Sequence, residues 1–371
     1  MLSRALDILV CPRCQGELRC EVFTQTNRAT SIGIYDEIVD GLLTCDCGAW
    51  YPVIAGVPRL LRDKLKSTLL ESYPGYFQKY QGKIPFVSSK NAGAGQADLT
   101  FQAKKRTLRS FSFEWTKFPE MIPEWEENFR WYFYPQDSRF FKGKLVLDAG
   151  CGKGRHAYYA ARFGTEVVGI DFSQAVDVAY RNTYSFPNVH IVQADIYDLP
   201  FKEDLFDFVY CLGVLHHLPM PEQGLANLLR YLKRGAYVCF YVYWNLESEP
   251  GWKRLGLKIF TLFRRVSTRL PYPFLYCLTY LIASTFSLVF VLPYKVLKRA
   301  LNSPRWVEEI PFKVYANYPF CVLHQDQFDR FSAPLENRYG KQEVIDWLKR
   351  AHLVDIRVLS GSGWRAWGKK V

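Results

Sequence analysis

Two cysteine pairs stand near the start of the chain, Cys11-Pro12-Arg13-Cys14 and Cys45-Asp46-Cys47. Thiolates separated by about 30 residues in this way can converge on one tetrahedral zinc, and four of them leave no coordination position open, so the metal is expected to be structural. Further along, Val146-Leu147-Asp148-Ala149-Gly150-Cys151-Gly152-Lys153-Gly154 reads as a strand entering a glycine-rich turn that opens a helix. Such a turn lets a ligand lie directly on bare backbone. Asp171 ends the next apolar run about 20 residues later, where a carboxylate can accept both ribose hydroxyls of an adenosine-type ligand. Asp195 ends the third run, placed for an adenine amino group. His216 and His217 follow the fourth; they either remove an acceptor proton at neutral pH or pack at a helix start.

The elements that must hold these residues are legible between Lys144 and Tyr243. Apolar runs at 145–147, 166–170, 190–192, 206–210 and 237–242 alternate with segments of helical length. Near-continuous apolar strands in that rhythm imply a parallel sheet covered on both faces, with ligands at its carboxyl edge. Val344, Ile345 and Leu348 mark a helix over 341–353, and the runs 354–360 and 364–369 form a hairpin that closes the sheet. The expected organisation is a β-rich unit over 1–62, a linker over 63–110 containing the small, polar stretch 88–96, a domain made of 111–243 and 337–371, and a hydrophobic helical cap inserted at 244–336. Residues 111–141, with Trp115, Trp125 and Trp131, are too aromatic for a solvated linker and are expected to pack on the sheet.

The run Leu147 to Gly154, together with Gly169-Ile170-Asp171-Phe172-Ser173, Ala194-Asp195, Leu199-Pro200-Phe201 and Gly213-Val214-Leu215-His216-His217-Leu218, resembles the class I S-adenosylmethionine-dependent methyltransferases of the ubiquinone/menaquinone-methylase-like group (methyltransferase type 11). The resemblance implies an α/β fold with a Rossmann-like seven-stranded sheet and S-adenosylmethionine as cofactor. It implies cofactor contacts at Asp148, Gly150, Cys151, Gly152, Gly154, Asp171, Phe172, Asp195, Ile196 and Leu212. Where this group commonly has two glycines after the fourth helix, the chain has Arg234-Gly235-Ala236. A dinucleotide-binding dehydrogenase would instead show a G-x-G-x-x-G loop and a second binding half, and neither is visible. The cysteine pairs, with Tyr51-Pro52-Val53 and Gly56-Val57-Pro58-Arg59-Leu60, resemble the zinc ribbon of the small Trm112-type methyltransferase activators. That resemblance implies Cys11, Cys14, Cys45 and Cys47 as the zinc ligands, although the second pair has one intervening residue where the ribbon more often has two.

Composition sets the setting. The chain of 371 residues is 49% hydrophobic, enough for a sizeable core, and carries a net charge of +12 that favours anionic partners. Five of its ten cysteines crowd the first 50 residues in metal-binding spacing, and the start lacks the features of a signal peptide, which together place the chain in the cytoplasm. Leu270 to Tyr294 contains no charged residue and is flanked by lysines and arginines. A single membrane crossing there would separate strands of one sheet, so the segment is expected to lie as helices in the interface on the cytosolic face of a membrane, to form a re-entrant hairpin, or to form a buried cap. The enzyme expected from all this transfers methyl groups to a hydrophobic or lipid-linked small molecule, with an anionic membrane surface as partner and nucleic acid less favoured. An rRNA or tRNA base methyltransferase and a non-catalytic cofactor-binding subunit are the alternatives.

Overall fold

The computed structural model describes residues 1–30, 32–85, 96–247, 249–301 and 304–371. The N-terminal unit is an antiparallel sheet of β1 (Arg19–Thr30), β2 (Gly33–Thr44), β3 (Trp50–Ile54) and β4 (Val57–Pro58), adjacent in chain order. Helices α1 (Asp63–Ser72), α2 (Pro74–Lys79) and α3 (Gln96–Lys117) follow. The stretch 63–110, expected to be a linker, is thus helical over much of its described length. The reason is apolar spacing: Leu65 and Leu69, one turn apart on α1, bury with Leu61 and with Leu108 of α3. The polar stretch from 88 to 95 lies outside the described residues.

Two short helices, α4 (Trp125–Phe133) and α5 (Ser138–Phe141), lead into the main sheet. Its strands are β5 (Leu145–Ala149), β6 (Glu166–Asp171), β7 (Val189–Gln193), β8 (Phe206–Leu212), β9 (Leu232–Val242), β10 (Val354–Ser360) and β11 (Trp364–Lys369), in the order β10-β11-β9-β8-β5-β6-β7. Strands β5 to β9 pair in parallel, and the hairpin β10-β11 joins antiparallel to β9, with Ala366 opposite Phe240. Every residue of β7 is buried, as are all but one of β8, as a strand covered on both faces requires. The covering helices include α6 (Arg155–Arg162), α7 (Ala175–Asn182) and α8 (Pro221–Tyr231). The aromatic stretch 111–141 packs on the sheet as its composition demands, with Phe129, Phe133 and Phe141 fully buried.

Between β9 and β11 the chain makes α9 (Gly251–Ser267), α10 (Tyr272–Phe286), α11 (Leu292–Ala300), α12 (Phe320–Ser332) and α13 (Lys341–Arg350). Because β9 and β11 are hydrogen-bonded neighbours, both ends of this insertion stay on the same side of any boundary.

The two sheets meet at β7. Arg59, just after β4, bridges in parallel to Gln193, and Leu60 N–H donates to the Gln193 carbonyl at 2.8 Å. On a second line, Val10 N–H donates to Pro200 O at 2.9 Å. The Arg59 side chain is wholly buried and donates to Asp177 Oδ1 at 2.5 Å, Ile54 O at 3.1 Å, Gln193 Oε1 at 3.2 Å and Tyr73 Oη at 2.9 Å. Removing the guanidinium leaves Gln193 Oε1 and Ile54 O without this donor, while Asp177, 36% exposed, can turn to water. Arg59→Met is therefore expected to lower the free energy of unfolding by about 2 kcal/mol, read by urea denaturation; an unchanged midpoint would show that this seam carries no stability.

Candidate cofactor pocket and cysteine cluster

At the carboxyl edge of the main sheet, the turn after β5 climbs through Gly150, Gly152 and Gly154, all at positive φ. Gly150 has φ +82°, and a Cβ there would lie 2.3 Å from the Val214 side chain, so the backbone approach excludes every other residue. Gly154 opens α6, and a Cβ there would press on Ala179 of α7 at 3.1 Å. The turn is tied to the next strand by Asp171, whose Oδ2 accepts from Gly152 N–H at 3.2 Å while Oδ1 accepts from Ser173 N–H at 2.8 Å.

Gly150, Gly152, Asp171, Phe172, Asp195, Ile196 and Leu212 line one pocket, together with His217. Asp148, Cys151, Gly154 and His216 stand outside this lining. Asp148 is buried beneath the turn, with no hydrogen-bond partner for Oδ2 among the described residues, and burial raises its carboxyl to about 7. Burial also raises Asp171. The two histidines part company. His216 is fully buried, lies with its ring 3.9 Å from that of Tyr243, and is held neutral by desolvation. His217 places Nδ1 at 2.5 Å from the Leu335 carbonyl, so Nδ1 carries the proton and Nε2 is left as the acceptor nitrogen of a pocket-lining ring.

Other residues of the site carried no signal in the sequence. Helix α3 covers the pocket and supplies Lys104, Thr107, Phe111 and Trp115 to its wall. Lys104 Nζ sits 2.6 Å from Asp195 Oδ2, so this carboxylate is already ion-paired. Beyond the glycine turn a buried polar chain runs from Lys153 Nζ to Gln325 Oε1 at 3.2 Å, and from Gln325 Nε2 to Glu114 Oε1 at 3.4 Å. Glu114 is 1% exposed, its Oε2 has no partner among the described residues, and burial holds its carboxyl protonated well above the usual range. A residue on α3 meeting one on α12 across more than 200 positions leaves no local pattern to read.

In the N-terminal unit the sulfurs of Cys11, Cys14, Cys45 and Cys47 all lie within 4.8 Å of one another, with Cys11 to Cys47 at 3.7 Å and Cys14 to Cys45 at 3.4 Å. Four thiolates on one tetrahedral zinc at about 2.3 Å stand about 3.8 Å apart, so the donor set and the spacing fit that ion. The shortened second pair still delivers both sulfurs because Cys45 N–H donates to Ala49 O and Gly48 N–H returns to Cys45 O, which tightens the turn.

Residues 147–240 match the methyltransferase domain family, and residues 3–56 match the Trm112p-like protein family. A tRNA U34 carboxymethyltransferase of Cellvibrio japonicus is 28% identical over 54% of this chain and 67% of its own. One of Shewanella baltica is 31% identical over 41% of this chain and 50% of its own. Among solved structures, an S-adenosylmethionine-dependent methyltransferase of Aquifex aeolicus is 15% identical, covering 73% of this chain and 98% of that one, with a TM-score of 0.36. Of the curated relatives it matches, the chain spans from 31% of the length, in an uncharacterized Synechococcus protein, to 67%.

These relatives overturn two expectations, the hydrophobic or lipid-linked small-molecule acceptor and the low place given to nucleic acid, because the curated names are those of tRNA-modifying proteins. The physical reason is visible in the pocket. Its walls come from residues between 104 and 219, and the apolar insertion contributes none of them, so its hydrophobicity carries no information about the acceptor.

The pocket fits S-adenosylmethionine: bare backbone at Gly150, carboxylates at two adjacent strand ends, and apolar walls for an adenine ring. The cofactor is cationic, and Asp148 must ionise to complement it. Affinity for S-adenosylmethionine, measured by calorimetry, is therefore expected to rise severalfold as the pH increases through about 7, and Asp148→Asn should flatten that profile. For the cysteine cluster, the purified protein is expected to hold one zinc, and stripping it with a chelator should lower the melting temperature by roughly 10 °C or more; an unchanged melt would exclude a structural ion.

Proposed function

We propose that this chain, which carries a class I S-adenosylmethionine-dependent methyltransferase domain behind a Trm112-like unit, transfers the cofactor's alkyl group to a base of tRNA in the cytoplasm. The observation that carries the reading is the similarity to the tRNA U34 carboxymethyltransferases, which extends over 54% of the chain in one relative and 41% in another. Charge supports it. Lys105, Arg106, Arg109 and Lys117 run along α3, the helix whose Lys104, Phe111 and Trp115 wall the pocket, and Arg106, Arg109 and Lys117 are exposed. They stand on a different side of α3 from the pocket wall, and Lys105 and Arg109 also pair with Glu71, so they offer a cationic surface beside the pocket that suits a phosphate backbone.

S-adenosylmethionine brings an electrophilic methyl carbon on a sulfonium. The protein's task is alignment in a dry pocket. Asp171 anchors the ribose, and the Gly150 turn fixes the methionine end. Phe111 and Trp115 offer flat apolar faces on the acceptor side, of the kind on which an unstacked base rests. With Nδ1 donating to the Leu335 carbonyl, Nε2 of His217 is the nitrogen that would take a proton from an attacking hydroxyl or ring nitrogen.

Incubation of the protein with labelled S-adenosylmethionine and bulk tRNA, followed by nucleoside digestion, is expected to place label in one modified base. Asp171→Ala should lower the rate about 30-fold or more, as loss of hydrogen bonds to a charged group does, and raising the salt should weaken tRNA binding steeply. Unlabelled tRNA alongside normal cofactor binding would overturn the reading.

A further inference from the structure

The inserted helices carry an apolar surface that the cofactor pocket and the α3 cations leave unused. Helix α10 continues through a π-turn (Ser287–Val291) into α11, making one helix of 29 residues, Tyr272–Ala300, with a mean hydropathy of 2.0 in its most apolar stretch. Only 22% of that stretch is buried. Its inner side holds Leu275, Thr279 and Ala283 against α12, while Phe274, Leu281, Leu288 and Val289 face outward.

Helix α9 has three distinct sides. Phe260 stacks on Phe331 of α12 at 4.6 Å, Ser267 Oγ donates to Phe331 O at 2.8 Å, and Arg264 pairs with Glu336 at 2.9 Å, which fixes the inward side. Leu255, Ile259, Leu262, Phe263 and Val266 fall within a separate arc of about 100°. They face out, with Leu262, Phe263 and Val266 at 61%, 63% and 64% exposure. Arg254, Lys258 and Arg265 occupy the adjoining arc of about 40° and are exposed. An amphipathic helix docked on its own protein normally turns its apolar side inward. This one presents it outward, edged by cations.

From residue 251 to 301 the chain has nine lysines and arginines and no aspartate or glutamate. That imbalance excludes an acidic rim of the kind that would pair with another copy's cations, and the exposed leucines and phenylalanines are a poor surface for RNA. We infer that α9 and the Tyr272–Ala300 helix rest on an anionic lipid bilayer, with the apolar arc in the acyl boundary and the cationic arc at the headgroups. They lie on the surface and do not cross it: β9 and β11, on either side of the insertion, are paired in one sheet. The bilayer is a docking surface here, separate from the acceptor and independent of which nucleic acid the pocket serves.

The test is co-sedimentation of the full chain with vesicles of phosphatidylcholine alone or mixed with phosphatidylserine. The wild type is expected to pellet with the mixed vesicles and to be released by high salt. Leu262→Ser/Phe263→Ser/Val266→Ser should reduce the bound fraction at least about tenfold, and Lys258→Glu/Arg265→Glu should remove the preference for phosphatidylserine. Both variants should keep wild-type affinity for S-adenosylmethionine, which shows that they are folded. A wild type that stays in the supernatant, or a triple-serine variant that pellets like wild type, overturns the inference. So does a wild type that is dimeric by light scattering, becomes monomeric in the triple variant and ignores vesicles, since the face would then belong to a second copy.

Discussion

A buried guanidinium at the seam between two sheets sets the terms for the rest of the molecule. Arg59 is wholly enclosed, and its hydrogen bonds reach β3, α7, β7 and the end of α1 at once. A charge so enclosed is tolerable only while every partner stays in place. The Trm112-like unit and the cofactor domain are therefore locked into one arrangement. The strand they share, β7, runs directly into Ala194 and Asp195 of the pocket wall. The loop after it, Leu199-Pro200, is in turn held by Gln15 and Val10 from the cysteine-bearing end. The cysteine-bearing end thus touches the loop that follows the Asp195 wall of the pocket through one side-chain and one backbone hydrogen bond.

The acids in and beneath the pocket differ in how their charge is met. Asp195 is met by Lys104, whereas at Asp148 burial outweighs the nearby Arg155 charge and the carboxyl keeps its proton to about 7. Glu114, buried beyond the glycine turn, meets the amide of Gln325, with Lys153 nearby, and burial still holds it protonated. Such groups oppose folding when ionised and are retained where a ligand complements them. A cationic cofactor bound against a bare-backbone turn supplies that complement on the Asp148 side. The divergence of His216 and His217 follows from the same packing. The tight turn Leu215–His217 drives one ring into the core against Tyr243 and leaves the other to line the pocket.

The insertion shows how a correct composition reading led to a wrong acceptor. Its apolar length, its flanking cations and its confinement to one side of the sheet were all legible. What misled was the step from an apolar cap to an apolar substrate. Among the described residues the insertion gives the pocket no wall: α12 takes one side of these helices and their other side points away from the molecule. In the same way, 63–110 reads as polar and irregular, yet α1 and α3 fold there because a few leucines at helical spacing find each other across 40 residues.

The amino-acid sequence by itself determined the parallel sheet, its closing hairpin, the glycine turn, the acids at adjacent strand ends and the four thiolates. Each of these depends on a short run of residues whose period or spacing is its own constraint. Only the tertiary structure decided that α3 roofs the pocket, that Lys104 neutralises Asp195, that of two neighbouring histidines it is His217 that lines the pocket, and that the apolar insertion looks outward. Those outcomes depend on which distant surfaces meet, and a linear pattern records how amphipathic a helix is without recording which of its faces finds a partner.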